Sequence, residues 1–383
     1  MAERILLFSA SLPPQGGTLS WTSLWLKNMP AGAETDFLFA PQPGAREQVA
    51  SRLRPDELKK IRVIEVPTGS LRNGYVIRVK SFLVLLRLLL SGEYALVFPL
   101  HNDSNILGYW AVRFVNMIKR RRVGLVLRCA GYPLPWRRVG TLRGWVLSIL
   151  LRRVYAYAGQ VIAINQEVKG QLKKLFHVSD NRIVVCPISV PCPCDEALPQ
   201  RPGGPFRFAV MSRLEPEKGV SHVIEAFIRL VRDGVDAQLH IHGTGSSMEV
   251  LEKQARESHL EGRIFFHGWV EEPMAVLAGM ECLVLASASE GTPRSILEAG
   301  CVGTPTIATD VGGVAEIITH GENGWLFDYG DVDALTDLMR AAVTMDGECF
   351  FAMRRAIKAK IIEDFSVASE TARVAQVLRQ ALF

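Results

Sequence analysis

The 383-residue chain has no run of about 20 apolar residues of the kind a membrane-spanning helix needs. Its most apolar stretch, Ser81-Phe-Leu-Val-Leu-Leu-Arg-Leu-Leu-Leu90, is broken by Arg87 and stops at Ser91-Gly92. The opening MAERILLFSASLPPQGG lacks the long apolar segment and small-residue cleavage site of a secretory signal, so a cytosolic location is expected. Cysteine is sparse. The seven, at 129, 186, 192, 194, 282, 301 and 349, are odd in number and scattered, which argues against a disulfide framework. Cys192-Pro-Cys194 has one intervening residue where a metal knuckle uses two, and no second pair or nearby His completes a site, so no metal is expected there.

Acidic residues are missing altogether from positions 104–166, which hold eleven Lys and Arg: Arg113, Lys119, Arg120, Arg121, Arg122, Arg128, Arg137, Arg138, Arg143, Arg152 and Arg153. More broadly, residues 1–200 carry a net charge of +14 and residues 201–383 one of −9. No helix-turn-helix, RNP or zinc-finger pattern accompanies the basic stretch, so nucleic acid is not the expected partner. With Trp136, Trp145, Tyr155 and Tyr157 interleaved, and with Leu142-Arg-Gly-Trp-Val-Leu-Ser-Ile-Leu-Leu-Arg-Arg153 amphipathic, it suits the anionic cytoplasmic face of the cell membrane. A solvated basic face is the plainer alternative. The first strand is followed by Pro14-Gln-Gly-Gly17 and not by Gly-x-Gly-x-x-Gly, which argues against a dinucleotide-dependent dehydrogenase. No Asp-x-Asp strand end, used by metal-dependent sugar transferases, occurs either.

What is present is an alternation of short apolar runs and longer helical stretches, the pattern of parallel sheets. Ile5–Phe8, Thr35–Phe39, Ile61–Ile64, Ala95–Phe98, Val123–Leu127 and Val161–Ile164 read as strands. The pattern pauses over Pro187–Pro205, where six prolines gather, and restarts with Arg207–Met211, Gln238–Ile241, Arg263–Phe266, Cys282–Leu285 and Thr306–Ala308. We therefore expect an α/β protein of two Rossmann-like domains facing each other across a cleft. Residues 1–190 would form the first domain, 191–205 a linker, 206–365 the second domain, and 366–383 a last helix packing back on the first. Ligand would bind at the carboxyl ends of the strands.

The strand-end loops of the second half carry the chemistry. Arg213 and Lys218 share the loop Ser212-Arg-Leu-Glu-Pro-Glu-Lys-Gly219 and could clamp a diphosphate. His242-Gly-Thr-Gly245 is a turn whose glycines let backbone approach a ligand, a signal that is weak alone. In Ser289-Glu-Gly-Thr-Pro-Arg-Ser-Ile-Leu-Glu298, Thr292 reads as a helix N-cap and Pro293 as the first helical residue. The amides of Arg294 and Ser295 would then offer a phosphate the positive end of a helix. Glu290 precedes that turn and Glu298 lies about one and a half turns beyond it, so the two can flank one elongated ligand; two solvent-facing glutamates are the bland alternative.

Together with Phe266-His-Gly-Trp-Val270, Gly303-Thr-Pro305, Gly312-Gly313…Glu316 and Gly321-Glu-Asn-Gly324, these blocks resemble, in order and spacing across residues 206–328, the family 4 retaining glycosyltransferases of the GT-B fold. The first half resembles the family more loosely, through Gly16-Gly17 and Val161-Ile-Ala-Ile-Asn165. The resemblance implies that Arg213 and Lys218 bind the donor diphosphate and that Glu298 holds the ribose hydroxyls. Glu290, with the backbone of Gly291, Thr292 and Pro293, would contact the transferred sugar. Val270 would lie against the base, Gly243 and Gly245 beside the donor, and Gly17 would supply an amide from the opposite domain. The implied reaction is hexosyl transfer with retention from a nucleotide-sugar, UDP-sugar ahead of GDP-sugar, to a lipid-linked or growing glycan in polysaccharide or glycolipid synthesis. The nucleotide-sugar is a substrate; no cofactor or metal is implied.

Two departures stand out. The family histidine after the strand at Val123–Leu127 is absent from Leu127-Arg-Cys-Ala-Gly-Tyr132, and His101, in Pro99-Leu-His-Asn-Asp103, is the candidate replacement. The turn usual before the linker is replaced by Pro187-Ile-Ser-Val-Pro191. Other readings are a nucleotide-sugar epimerase, which lacks the block pattern, and a non-catalytic scaffold for membranes or polyanions. A phosphorylase-like enzyme would need a longer chain and a pyridoxal-binding lysine.

Overall fold

The computed structural model describes residues 4–12, 34–41, 61–67, 74–119, 122–129, 141–192, 198 and 203–382. The chain divides into two compact units, one of Met1–Ile188 with Ala368–Phe383 and one of Ser189–Val367. The first runs β1 (Arg4–Leu12), β2 (Glu34–Pro41), β3 (Ile61–Glu65), α1 (Gly74–Ser91), β4 (Tyr94–Pro99), α2 (Asn102–Lys119), β5 (Gly124–Cys129), α3 (Leu142–Tyr157), β6 (Gln160–Ala163), α4 (Gln166–Phe176) and β7 (Ile183–Val185). The second runs β8 (Phe206–Met211), α5 (Val220–Arg232), β9 (Ala237–His242), α6 (Met248–Glu257), β10 (Ile264–Gly268), α7 (Pro273–Ala278), β11 (Cys282–Leu285), α8 (Arg294–Cys301), β12 (Thr306–Thr309), β13 (Trp325–Phe327), α9 (Val332–Thr344) and α10 (Gly347–Asp364). The last helix, α11 (Val367–Leu382), returns to the first unit.

Each unit holds one parallel sheet. The strand orders are β3-β2-β1-β4-β5-β6-β7 and β10-β9-β8-β11-β12-β13. Parallel strands are covered on both faces, which is why β1 reads as an unbroken apolar run with Ile5, Leu6, Leu7 and Phe8 all buried. Leu6 and Phe8 face one side with Leu85 of α1, Val112 of α2, Val154 of α3 and Leu172 of α4. Ile5 and Leu7 face the other side with Val374, Val377 and Leu378 of α11. In the second unit Phe208, Val210, Leu239 and Ile241 pack with Phe227 of α5 and Met339 of α9.

Both sheets reverse strand order at one point, between β1 and β4 and between β8 and β11. Two short strands, β7 and β13, were not anticipated: with three residues each, neither shows a period. Strand β5 starts one residue later than expected and ends two residues later, which carries Arg128 and Cys129 into the buried sheet. Arg128 therefore does not belong to a solvated basic face, and neither does Tyr155, which is fully buried.

Candidate active site

The loops leaving β8 and β11 meet at the switch point of the second sheet, the position where open parallel sheets bind ligands. Their backbones are locked together. Gly219, at φ 60°, ends the β8 loop, and a Cβ there would fall 2.0 Å from the Ala286 carbonyl oxygen. The Ala288 amide donates to the Glu217 carbonyl at 2.8 Å. From the next strand, Thr309 Oγ1 donates to the Ser287 carbonyl at 2.7 Å and the Gly313 amide to the Gly291 carbonyl at 2.7 Å. Gly312, also at φ 60°, lies so close that a Cβ would fall 1.7 Å from the Glu290 carbonyl oxygen. The run after β12 thus buttresses the loop that carries Glu290.

On this frame Lys218 Nζ meets Glu290 Oε1 at 2.7 Å, with side chains only 15% and 13% exposed. The loop's other cation does not join them: Arg213 is exposed and lies 3.7 Å from Glu217. The two cations therefore do not form an open pair, because each has a carboxylate and Lys218 has turned towards the neighbouring loop. Helix α8 begins at Arg294, with Pro293 rather than Thr292 as its N-cap and no side-chain cap bond. A proline nitrogen cannot donate, and the first helical bonds run from the Ile296 and Leu297 amides to the Pro293 carbonyl, so the Arg294 and Ser295 amides precede the ladder.

Glu298 then falls one turn into α8, where Arg294 Nε donates to its Oε1 at 2.7 Å. It is buried, and burial raises its carboxyl above the usual range while Arg294 opposes the rise. Neither Glu290 nor Glu298 is a solvent-facing glutamate.

The glycines of His242–Gly245 let backbone approach backbone. A Cβ at Gly243, φ 135°, would fall 1.8 Å from the Ser212 carbonyl oxygen, and one at Gly245 would fall 2.3 Å from that of Leu214. The close approach is to the β8 loop, which the Leu214 amide joins by donating to the Thr244 carbonyl at 2.9 Å. Val270 is half-buried just past β10, and Gly291 and Thr292 are half-buried in the β11 loop.

His101 belongs to the first unit. It directly follows the loop from β4, at the switch point of that sheet, and its carbonyl accepts from the Asn105 amide at 2.8 Å in the first turn of α2. Its Nε2 is buried without a hydrogen-bond partner. Burial, and secondarily Arg128, push the imidazole down to about 4 against the opposing pull of Asp103, so it is neutral at physiological pH. Gly17 lies outside the described residues.

Sequence reasoning assigned no role to Ser212 and Ser287, whose buried hydroxyls at the ends of β8 and β11 also lack partners. Their places one and two residues past the ends of two strands were the available signal. An unsatisfied buried hydroxyl costs about 1–3 kcal/mol, so two at the switch point mark where a polar ligand would be welcome.

Residues 196–362 match the family model described as Glycosyl transferases group 1. The chain is 32% identical over 183 residues to the lipopolysaccharide 1,6-galactosyltransferase of Salmonella typhimurium, covering 46% of this chain and 50% of that one. It is 29% identical over 248 residues to the glycogen synthase of Mycobacterium tuberculosis, covering 61% and 60%. Against N-acetyl-alpha-D-glucosaminyl L-malate synthase of Bacillus anthracis it is 33% identical over 127 residues, 33% of each chain. The chain thus spans between a third and three fifths of these relatives.

Among solved structures, the lipopolysaccharide outer core galactosyltransferase WaaB in its apo form matches with a TM-score of 0.75 at 20% identity, over 98% of this chain and 99% of that one. The Anabaena protein HepE in complex with UDP and glucose matches with a TM-score of 0.77 at 20% identity, also over 98% and 99%. The fold is the two-domain α/β architecture of GT-B glycosyltransferases.

Proposed function

We propose that the protein is a retaining glycosyltransferase of the family 4 type, moving a hexosyl group from a nucleotide-sugar, UDP-sugar ahead of GDP-sugar, to a lipid-linked or growing glycan. The observation that carries this reading is the Lys218–Glu290 pair, largely buried and 2.7 Å apart at the switch point, beside the first-turn amides of α8. The donor's diphosphate would lie at Lys218 and those amides, drawing Lys218 away from Glu290. Freed, Glu290 would accept from hydroxyls of the sugar, and Glu298 from those of the ribose. The ligands in the HepE complex, UDP and glucose, favour a uridine nucleotide.

In the step itself the bond from the anomeric carbon to the diphosphate oxygen breaks, and a bond from that carbon to the acceptor oxygen forms on the same face. The acceptor proton passes to the departing diphosphate, whose charge Lys218, Arg213 and the amides of Arg294 and Ser295 stabilise. His101, neutral, would hydrogen-bond a hydroxyl through its unpartnered Nε2. Because protein groups meet the leaving-group charge, turnover is expected to survive a chelator; loss in EDTA restored by a divalent ion would contradict that part of the reading. A lipid-linked acceptor would hold the enzyme at the cytoplasmic face of the membrane.

The test is a thermal-shift series with UDP-, GDP- and ADP-sugars on the purified chain, followed by release of nucleotide and NMR of the product's anomeric centre. A donor at 100 times its dissociation constant stabilises by about 2.7 kcal/mol. If no nucleotide-sugar raises the unfolding midpoint and none is turned over, the proposal fails, and an inverted product would refute retention.

A further inference from the structure

Large apolar side chains left in water are not spread evenly over the protein. On α1 they are Tyr75, Val79 and Leu83, on α2 Trp110, Phe114, Met117 and Ile118, and on α3 Leu142, Trp145, Val146, Ile149 and Tyr157. These make up twelve of the seventeen exposed large hydrophobic residues among those described. On each helix their spacing keeps them on one face, as in 75/79/83, 110/114/117/118 and 142/145/146/149 with 157 about two turns on, so each helix presents one outward stripe. The three helices cover the same face of the first sheet, since Leu85 and Leu89 of α1, Val112 and Val115 of α2, and Leu151 and Val154 of α3 join one core. Helices α2 and α3 are clasped by the edge contact of Tyr109 with Tyr157, 5.4 Å between ring centroids, and by Asn116 Nδ2 donating to Tyr157 Oη at 3.0 Å. The stripes therefore lie side by side on one surface.

Charge on this surface has one sign. The three helices contain eight Lys and Arg and a single acid, Asp103, which is paired with Arg78. Arg87, Arg113, Arg152 and Arg153 are exposed beside the apolar stripes. A contact between proteins of this apolar content would normally set acids against such bases, whereas an exposed aromatic and aliphatic stripe rimmed by bases alone matches the headgroup layer of an anionic bilayer. Two tryptophans and two tyrosines supply side chains with an apolar body and a polar tip, the kind that settles at that layer.

We propose that the outward face of α1, α2 and α3 is the surface by which this protein docks on an anionic lipid bilayer. The proposal rests on the lipid-linked-acceptor reading and gives it a location. It extends the basic stretch seen in the sequence to α1, which lies outside that stretch, and it removes Arg128 and Tyr155, which are buried. Anchoring is reversible: no helix among the described residues is long and apolar enough to cross a membrane, so binding depends on side chains entering the interface and on screened charge.

The test is co-sedimentation of the full chain with vesicles of phosphatidylcholine alone or mixed with phosphatidylglycerol, together with nucleotide release from the donor in vesicle-free buffer. The wild type should pellet with the mixed vesicles and not with the neutral ones. Binding should weaken in 1 M salt, where the Debye length falls to about 3 Å from about 10 Å at 0.1 M. Replacing Arg87, Arg113, Arg152 and Arg153 by Gln should weaken binding by roughly fivefold per charge. Leu83→Gln with Trp110→Gln and Trp145→Gln should abolish it. Both variants should keep the wild-type donor turnover, which separates docking from chemistry: an inactive wild type that still binds vesicles would defeat only the reaction. Equal binding to neutral vesicles, no binding to either, or a dimer that the apolar variant converts to monomer would overturn the proposal, the last by assigning the face to a second copy of the chain.

Discussion

At the scale of single residues, the site is a pair of carboxylates each held by a cation. Replacing Lys218 by Ala should reduce kcat/KM by 10²-fold or more, on the order of the loss when one charge-stabilising donor is removed. It would also leave the Glu290 carboxylate, 13% exposed, without its partner, so the unfolding midpoint should drop. Adding Glu290→Gln should restore the midpoint without restoring turnover; recovery of both would mean that the pair is structural only. Glu298 makes a different prediction. Burial raises its carboxyl, so the folded protein holds that proton more tightly than the unfolded chain does. Stability must then fall as pH rises from the ordinary carboxylate value through the raised one, and stay level above it. Glu298→Gln should flatten that slope, keep or raise the midpoint at pH 7, and lose the stabilisation by nucleotide. Denaturation curves from pH 4 to 8, with and without UDP, check all three; an unchanged slope would refute the burial argument, and intact UDP stabilisation the ribose role. The sequence places Lys218 and Glu290 in the loops that leave two strands and Glu298 in the helix that follows one of them, and the structure has them there. The pairing could not be read there, since Lys218 and Glu290 are 72 positions apart and only the strand order brings them together.

At the scale of elements, the glycines of the site's loops serve packing between loops. Gly312→Ala should displace the Glu290 carbonyl, because a Cβ at φ 60° would fall 1.7 Å from it. Gly321, at φ 82° with nothing within 4 Å of a Cβ, is the matched control: its Ala variant should cost only the left-handed penalty of about 1–2 kcal/mol and leave kcat near wild type. Equal loss of activity in the two variants would mean that the run after β12 does not position Glu290. The period of apolar residues located eleven of the thirteen strands among the described residues, because buried parallel strands are continuous apolar runs. It failed at β7 and β13, each of three residues, and it placed the start of α8 one residue early. There the rule that proline opens a helix met an extended Pro293, whose ψ of 112° keeps it outside.

At the scale of the whole molecule, the chain enters the second unit near Ser189 and returns to the first at Ala368. The two crossings pair with each other, the Val190 amide donating to the Phe365 carbonyl at 3.4 Å beside a bridge between Val190 and Ser366. The outward crossing at Ile188–Ser189 falls at the start of the proline-rich run 187–205, two residues before the linker expected at 191–205. The return, expected as a last helix at 366–383, carries no such signal in composition, because Val367–Leu382 is an ordinary amphipathic helix whose partner face lies more than 180 positions earlier. That helix completes the first unit. Val374, Val377 and Leu378 are 1% exposed against Ile5, Leu7, Phe37 and Phe98, and each contributes about 1.5–3 kcal/mol by its burial. Beneath them Glu370 offsets the burial of the Arg128 guanidinium, at 3% and 4% exposure. The helix thus contributes an amount comparable to the whole stability of a typical domain, about 5–15 kcal/mol. A fragment of residues 1–190 should accordingly fail to fold cooperatively, and the same fragment with residues 366–383 joined through a flexible linker should recover a sigmoidal unfolding transition. Glu370→Ala in the full chain should lower stability by about 3–5 kcal/mol by leaving Arg128 buried without its carboxylate. A cooperative transition in the bare fragment, seen by circular dichroism, would show that α11 rests on the first unit without being part of its core.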